Sequence, residues 1–478
     1  MRTRRVLLCL VLSGLMFVPV RADKRLFSDA FAPAEFAARR AQLMAAIGDG
    51  VAIISGATEQ ANYEKFKQNK QFFYLCGVEV PRAMLLVDGR SKTSTLFLPA
   101  RTPADDRSEG PLLAPGDEAR RLTGIEAVVD RVQFDAAIKT IAAQGRHIYM
   151  PFREESIGAV ATDRVRAHER ATASDPWDGR KSKEAVFREK VQAIAIKSEV
   201  VDLDPLLDKM RLVKSPAEIA VIREATRIAG LGILEGMKVA EPGMYEYEIE
   251  AIADYVFKRN NAMGIGYFAL VATGTNAAWP HYHAAQSRLA DGDLVLFDYA
   301  PEFKYYTSDV TRMFPANGRF SPRQRELYGI YVKLYQALMS SIGPGPAADR
   351  LKAAHGKMTA ILESFTFTDP KIKAAATAFV ARYASGGRSF GHGVGLEVHD
   401  VAGGFDGVYT PGMIFTIEPA LTIPDEQIYI RLEDVILITE TGYENLSASL
   451  PMGIDEIEKV MKQNSGIRRF WDSGILGF

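Results

Sequence analysis

Cysteine is nearly absent from this chain: there are two in 478 residues, Cys9 and Cys76. Cys9 falls in an N-terminal apolar run, so Cys76 is left alone, and neither an internal disulfide nor a thiolate metal cluster can be built. Cys76 sits in Phe-Phe-Tyr-Leu-Cys-Gly and reads as a small buried hydrophobe rather than a nucleophile. An excess of charge is also missing. Lys and Arg number 58 against 59 Asp and Glu, for a net charge of −1, so the basic surface that nucleic acid requires is not expected. Past the first residues no apolar run is long enough to span a bilayer. Internal repeats and low-complexity stretches are absent too. Histidine is scarce, at seven, which makes the placement of each one informative.

The first residues are unusual. Arg2, Arg4 and Arg5 precede an apolar run from Val6 to Val18, and Val20-Arg21-Ala22 puts apolar or small residues one and three positions before a cut after Ala22. This is the layout of a signal peptide over 1–22, with export to the periplasm or the cell exterior. The competing reading is an uncleaved anchor. Cleavage takes away four arginines and no acids, leaving a mature charge of −5, and the cut chain needs no membrane.

The remainder has the composition of a globular protein, 47% apolar and 24% charged. Its length suits two domains. Residues 33–47 predict an amphipathic helix through Phe36, the stem of Arg40, Leu43, Met44 and Ile47. Val51–Ser55, Phe72–Cys76, Ala83–Val87, Thr95–Pro99 and His147–Met150 read as strands, with a helix near Phe134–Ala143. This gives an α/β domain over 23–204. Ser174–Lys183 reads as an exposed loop. Val200–Leu203 reads as a last strand, and Asp204-Pro205 as a cap and first turn opening the second domain, 205–478. Ser215-Pro-Ala-Glu218 is a capping box, and Ser321-Pro-Arg-Gln324 repeats it. Further helices are expected around 245–259 and 370–384.

The second domain holds five residues suited to metal ligation: Asp298 in Leu-Phe-Asp-Tyr, Asp309 in Thr-Ser-Asp-Val-Thr-Arg, His392 in Phe-Gly-His-Gly-Val-Gly, Glu418 in Thr-Ile-Glu-Pro and Glu433 in Arg-Leu-Glu-Asp. Four carboxylates and one imidazole suit two adjacent divalent cations, and oxygen-rich ligation favours manganese. Such a pair activates water and polarises a carbonyl together, which points to metal-assisted hydrolysis. A hairpin would bring Asp298 and Asp309 together. Gln427–Thr439 reads as one strand, with Arg431 and Glu433 on a common face. His281 and His399 are candidates for handling substrate or protons. Taken singly, each residue has a bland alternative: a turn acid, or a solvated strand residue.

Together these motifs, from Met210 to Met461, resemble the pita-bread metallopeptidases that include aminopeptidase P, prolidase and methionine aminopeptidase. Arg-Leu-Val-Lys-Ser-Pro-Ala-Glu-Ile resembles the opening of the catalytic domain in the proline-specific branch. Residues 33–150 resemble, more weakly, the N-terminal domain of aminopeptidase P. The resemblance implies an α+β pita-bread (creatinase/aminopeptidase-like) catalytic domain behind the α/β domain. It implies two metal ions held by Asp298, Asp309, His392, Glu418 and Glu433, with Asp309 and Glu433 bridging. It assigns His281 and His399 to substrate and developing charge, and Arg431 to support of Glu433.

The function so implied is a secreted Xaa-Pro aminopeptidase acting on peptides with proline in second position, alone or as a homo-oligomer. The alternatives are a prolidase limited to dipeptides, or a metal-free creatinase-like hydrolase or binding relative. The chain departs from the pattern twice. Tyr299 and Ala300 replace small residues after the first aspartate, and Tyr299 is expected on the strand face opposite Asp298. Arg388 stands where the family often has a histidine, four residues before His392. There it would grip a short peptide's carbonyl or carboxylate, or pair with a nearby acid.

Overall fold

The computed structural model describes residues 30–59, 63–104, 107, 110, 112–385 and 389–467. The expected leader at 1–22 and Arg388 lie outside the described residues. No helix among the described residues is long and apolar enough to cross a membrane.

The first part is a six-stranded mixed sheet in the order Ala127–Asp130, Thr93–Leu98, Met84–Asp88, Val51–Ser55, Ile148–Met150, Val200–Asp202. Its three central strands are antiparallel neighbours, and the outer pairings are parallel. The helix Pro33–Ala46 buries Phe36, Leu43 and Met44 as its spacing requires. Arg40 is buried with them and donates to the Leu75 carbonyl at 3.0 Å.

One expected strand is a helix. Lys70–Cys76 is helical and buried throughout. The Asn69 side chain caps its start by accepting from Gln71 N, and Gly77, at φ 68°, ends it in the left-handed region. A short apolar run carries no period that separates strand from helix; here the caps decide. Cys76 is free and buried, and burial pushes its thiol up to about 12, so it stays unreactive.

The helix Asp204–Leu212 has Pro205 in its first turn as expected, but Asp204 does not cap it. That carboxylate is turned to other donors: Gln71 Nε2 at 2.8 Å and the amides of Phe152 and Arg153 at 3.0 and 2.8 Å. Both capping boxes are present, at the starts of Pro216–Val239 and Pro322–Met339. Helices also form over Glu246–Arg259, Ala347–Ser364 and Pro370–Ala381.

These helices cover antiparallel strands. Leu270–Thr273, Leu294–Asp298 and Thr311–Pro315 make one sheet, and Ile414–Ile417, Asp434–Ile438 and Tyr443–Asn445 another. The strand expected over Gln427–Thr439 is split. Ile428–Arg431 pairs with Ala420–Ile423, and Asp434–Ile438 pairs with Ile414–Ile417, so Leu432 and Glu433 fall at the change of partner.

The two parts meet through buried contacts. Phe73 stacks on Tyr305 at 3.8 Å between ring centroids, and Lys67 is ion-paired with Glu302.

Candidate metal centre

Strand ends gather the five predicted ligands. Asp298 ends Leu294–Asp298, where it faces Thr311 across an antiparallel ladder, and Asp309 lies two residues before that partner. Ile417 faces Asp434, so Glu418 and Glu433, the residues just beyond that pair, come together. A bridge between Thr311 and Glu433 joins the two sheets at this point. His392 is brought in by a loop. Its amide donates to Thr416 Oγ1 at 3.2 Å, and its carbonyl accepts from Thr416 N at 2.8 Å. At Gly391 a Cβ would lie 2.3 Å from Thr416 Oγ1 and 2.4 Å from its carbonyl oxygen, so only glycine permits this approach.

His392 Nε2 is 3.4 Å from Asp309, 3.2 Å from Glu418 and 3.9 Å from Glu433. Donor atoms of Asp309, His392 and Glu433 all lie within 4.8 Å of one another. Asp298 joins the group through Tyr267, whose hydroxyl is 2.6 Å from Asp298 Oδ1 and 2.7 Å from Asp309 Oδ1. The guanidinium of Arg431 donates to Asp298 and lies 3.9 Å from Glu418. Its hydrogen bond therefore goes to Asp298 rather than to Glu433, the partner implied above. Thr311 Oγ1 supports Glu433 instead, at 2.8 Å.

The electrostatics are those of crowded acids. Burial pushes Asp298 up to about 7 against the opposing charge of Arg431, with the charges of Asp309 and Glu418 adding to the rise. Burial and the charges of Asp309, Glu418 and Asp298 raise Glu433 well above the usual carboxylate range. Burial opposes the charged form of His392, but Asp309 and Glu418 outweigh it and raise the imidazole to about 9. Asp309 is held low against its burial by His392, Tyr267 and Arg431.

The donor set fits a divalent metal. Glu433 Oε1 is buried and accepts no hydrogen bond, and a cation between it, Asp309 and His392 would satisfy it. Four carboxylates face one guanidinium and one imidazole, and an oxygen-rich set with one nitrogen suits a hard or borderline ion.

The cluster forms the floor of a cavity of about 270 Å³, which His281, His399, Phe268 and Arg164 also line. The ring of His399 lies 4.2 Å from that of His392. His281 is exposed, in the turn after the short helix Gly274–Ala278. Partial desolvation by the cavity wall, then Arg164, Arg431 and His399 nearby, lower its proton affinity. Tyr299 points away from the metal ligands: it is buried, and its hydroxyl donates to Asp254 at 2.6 Å.

Sequence reasoning missed Tyr267, and it missed the wall made by Ala159, Val160, Ala161 and Arg164. Tyr267 follows Gly264-Ile-Gly in an apolar run with no ligand-like neighbour, and nothing local marks it. The wall comes from the first part of the chain, so only the tertiary fold shows it.

Two family models match the chain: metallopeptidase family M24 over residues 220–440, and the aminopeptidase P N-terminal domain over 36–149. The chain is 31% identical over 464 residues to the Xaa-Pro aminopeptidase of Escherichia coli (strain K12), covering 89% of this chain and 97% of that protein. Among solved structures it is similar to proline aminopeptidase P II from Yersinia pestis, with a TM-score of 0.72 and 30% identity over 91% of this chain and all of that one. It is also similar to aminopeptidase P from E. coli with the inhibitor Pro-Leu, with a TM-score of 0.70 and 28% identity over 90% of this chain and 98% of that one.

Proposed function

This chain belongs to metallopeptidase family M24, and on that premise we propose that it is a Xaa-Pro aminopeptidase. It joins a domain of the aminopeptidase P N-terminal type to a pita-bread catalytic domain. Its substrates are peptides with proline in second position, and the bond cut is the one before that proline. The amide there has no N–H, so a site for it needs no acceptor at that nitrogen.

The observation that carries the reading is the convergence of Asp298, Asp309, His392, Glu418 and Glu433 from distant strands and a loop onto one cavity floor. These residues would hold two divalent ions, with manganese the expected metal given four oxygen donors and one nitrogen. When bound, the metal supplies Lewis-acid polarisation of the scissile carbonyl and lowers the pKa of water. The protein's own groups set the rest. Arg431 and Tyr267 fix Asp298, and Thr311 fixes Glu433. His399 takes a proton from the attacking water and passes it to the leaving proline nitrogen. His281, at the rim, meets the substrate. The cavity accommodates the first residues of a peptide rather than a folded chain.

Export is part of the proposal. The leader Arg2–Ala22 supports cleavage after Ala22, and N-terminal sequencing of protein from its native host tests it: an intact Met1 rejects cleavage.

Product analysis with a Xaa-Pro-Xaa tripeptide tests the activity. Release of the first residue together with an intact dipeptide is expected. Hydrolysis confined to Xaa-Pro dipeptides would make the enzyme a prolidase. No hydrolysis of either, with metal supplied, would reject the reading in favour of a creatinase-like or binding role.

A further inference from the structure

His399 is tied to the first part of the chain. Its Nδ1 lies 3.0 Å from Oδ2 of Asp163. The other carboxylate oxygen of Asp163 is already engaged, accepting from Arg164 N at 2.8 Å, so the carboxylate is held in one orientation. Asp163 stands in the first turn of the helix Thr162–Ser174. We propose that Asp163 is a positioning residue for the reaction: it accepts the Nδ1 proton of His399 and leaves Nε2 as the nitrogen available to substrate. The proposal rests on the reading of His399 as the proton-handling group.

The pair itself is partly exposed, with side-chain accessibilities of 35% for His399 and 57% for Asp163. As a surface ion pair it would contribute little to stability. Its geometry is set elsewhere, by buried contacts on both sides. The amide of Thr162, next to Asp163, donates to Glu397 Oε2 at 2.5 Å. Glu397 is two residues before His399, is 1% exposed, and also accepts from Arg211 at 3.1 Å. Asp400, the residue after His399, accepts from the same Arg211 at 2.5 Å and pairs with Lys214 at 3.0 Å. The segment leading into the helix is fixed as well, by Lys70 Nζ donating to the Val160 carbonyl at 2.7 Å. Buried ion pairs fix Glu397 and Asp400, and the Thr162–Glu397 hydrogen bond then holds the helix start of Asp163 at a fixed separation from the loop of His399.

The chemical consequence follows from the imidazole. A neutral histidine carries one N–H, and the hydrogen bond at one nitrogen selects the tautomer and sets the ring's orientation. A carboxylate at Nδ1 keeps that proton in place and holds the ring so that Nε2 faces the cleft. Catalysis by His399 thus depends on a residue 236 positions away, in a part of the chain that holds no metal ligand.

The test compares metal-loaded wild type, Asp163→Ala, Asp163→Asn, His399→Ala and the double variant Asp163→Ala/His399→Ala on a Xaa-Pro tripeptide, with metal content measured for each. Asp163→Ala should lower kcat by roughly 10- to 100-fold, keep KM within about threefold and retain wild-type metal content. Asp163→Asn, whose amide oxygen still accepts from Nδ1, should recover part of the loss. In the His399→Ala background the same change should cost nothing more. A kcat for Asp163→Ala within twofold of wild type, or an equal loss in both backgrounds, overturns the proposal. If wild type cuts no Xaa-Pro peptide, it is the functional reading that fails. The pairing is then decided by long-range ¹H–¹⁵N spectra of the histidines: an Nδ1-protonated His399 that becomes a tautomer mixture in Asp163→Ala supports it, and an unchanged spectrum refutes it.

Discussion

Thr311 and Glu433 hold each other at both backbone and side chain. Thr311 N donates to the Glu433 carbonyl at 3.3 Å, Glu433 N donates to the Thr311 carbonyl at 3.1 Å, and Thr311 Oγ1 donates to Glu433 Oε2 at 2.8 Å. The bridge closes one sheet onto the other beside Asp298, which faces Thr311 in the ladder. One oxygen of the Glu433 carboxylate is thereby fixed, and the other is buried and accepts no hydrogen bond. A carboxylate presented this way is aimed at a cation.

Replacing Thr311 by Val keeps the shape and both backbone bonds but removes the hydroxyl. The variant should fold with a near-wild-type Tm in metal-free buffer. Its metal affinity should drop by roughly tenfold, read by competitive titration with a metal indicator. Unchanged affinity would show that Glu433 needs no such support.

Asp309→Ala and Glu433→Ala should each abolish binding of at least one ion. Asp309 faces Tyr267 and His392, and Glu433 faces His392, so each loss removes a donor near the centre of the cluster. Elemental analysis of the purified variants reads this directly. Wild-type metal content in both would place the ions elsewhere.

His399→Ala should lower kcat by roughly 10²- to 10⁴-fold while metal content stays at the wild-type level. His399 lies beside His392, at 4.2 Å between rings, but its Nδ1 is taken by Asp163. Loss of metal in this variant would make His399 a ligand instead.

Glu184 gives a prediction about pH. Its side chain is buried, with Oε1 unpaired, and burial followed by the charge of Glu155 pushes it up to about 7. An acid raised in the folded state holds its proton there after the unfolded chain has lost it. Stability is therefore lost as pH rises from about 4.5 through 7, by on the order of 3 kcal/mol. Glu184→Gln should remove that slope. Tm measured from pH 4 to 8 for both proteins checks it, and parallel curves would contradict it.

The legible parts of this chain were those where chemistry and local sequence coincide. Ser215 and Ser321 announced their helices because a capping box is complete within four residues. The ligand motifs are legible only as a set: each acid or histidine alone has a bland alternative, and the five contexts in order carry the resemblance. Phe72–Cys76 reads as a strand because its helix is buried on every side and the short run leaves no period to read. The sequence predicts one strand over Gln427–Thr439 because alternation persists across Leu432 and Glu433, although the partner strand changes there. Asp163 and Tyr267 could not be found from sequence at all. Their roles depend on contacts spanning 236 residues to His399 and 31 and 42 residues to the two aspartates.

The most direct test of the account is metal stoichiometry measured together with activity. Purified enzyme is stripped with a chelator, manganese is added back stepwise, and bound metal per chain is followed alongside cleavage of a Xaa-Pro tripeptide. The account predicts no cleavage in the stripped enzyme, and recovery that rises with occupancy and levels off at two ions per chain. Full activity with less than one bound ion per chain would contradict it.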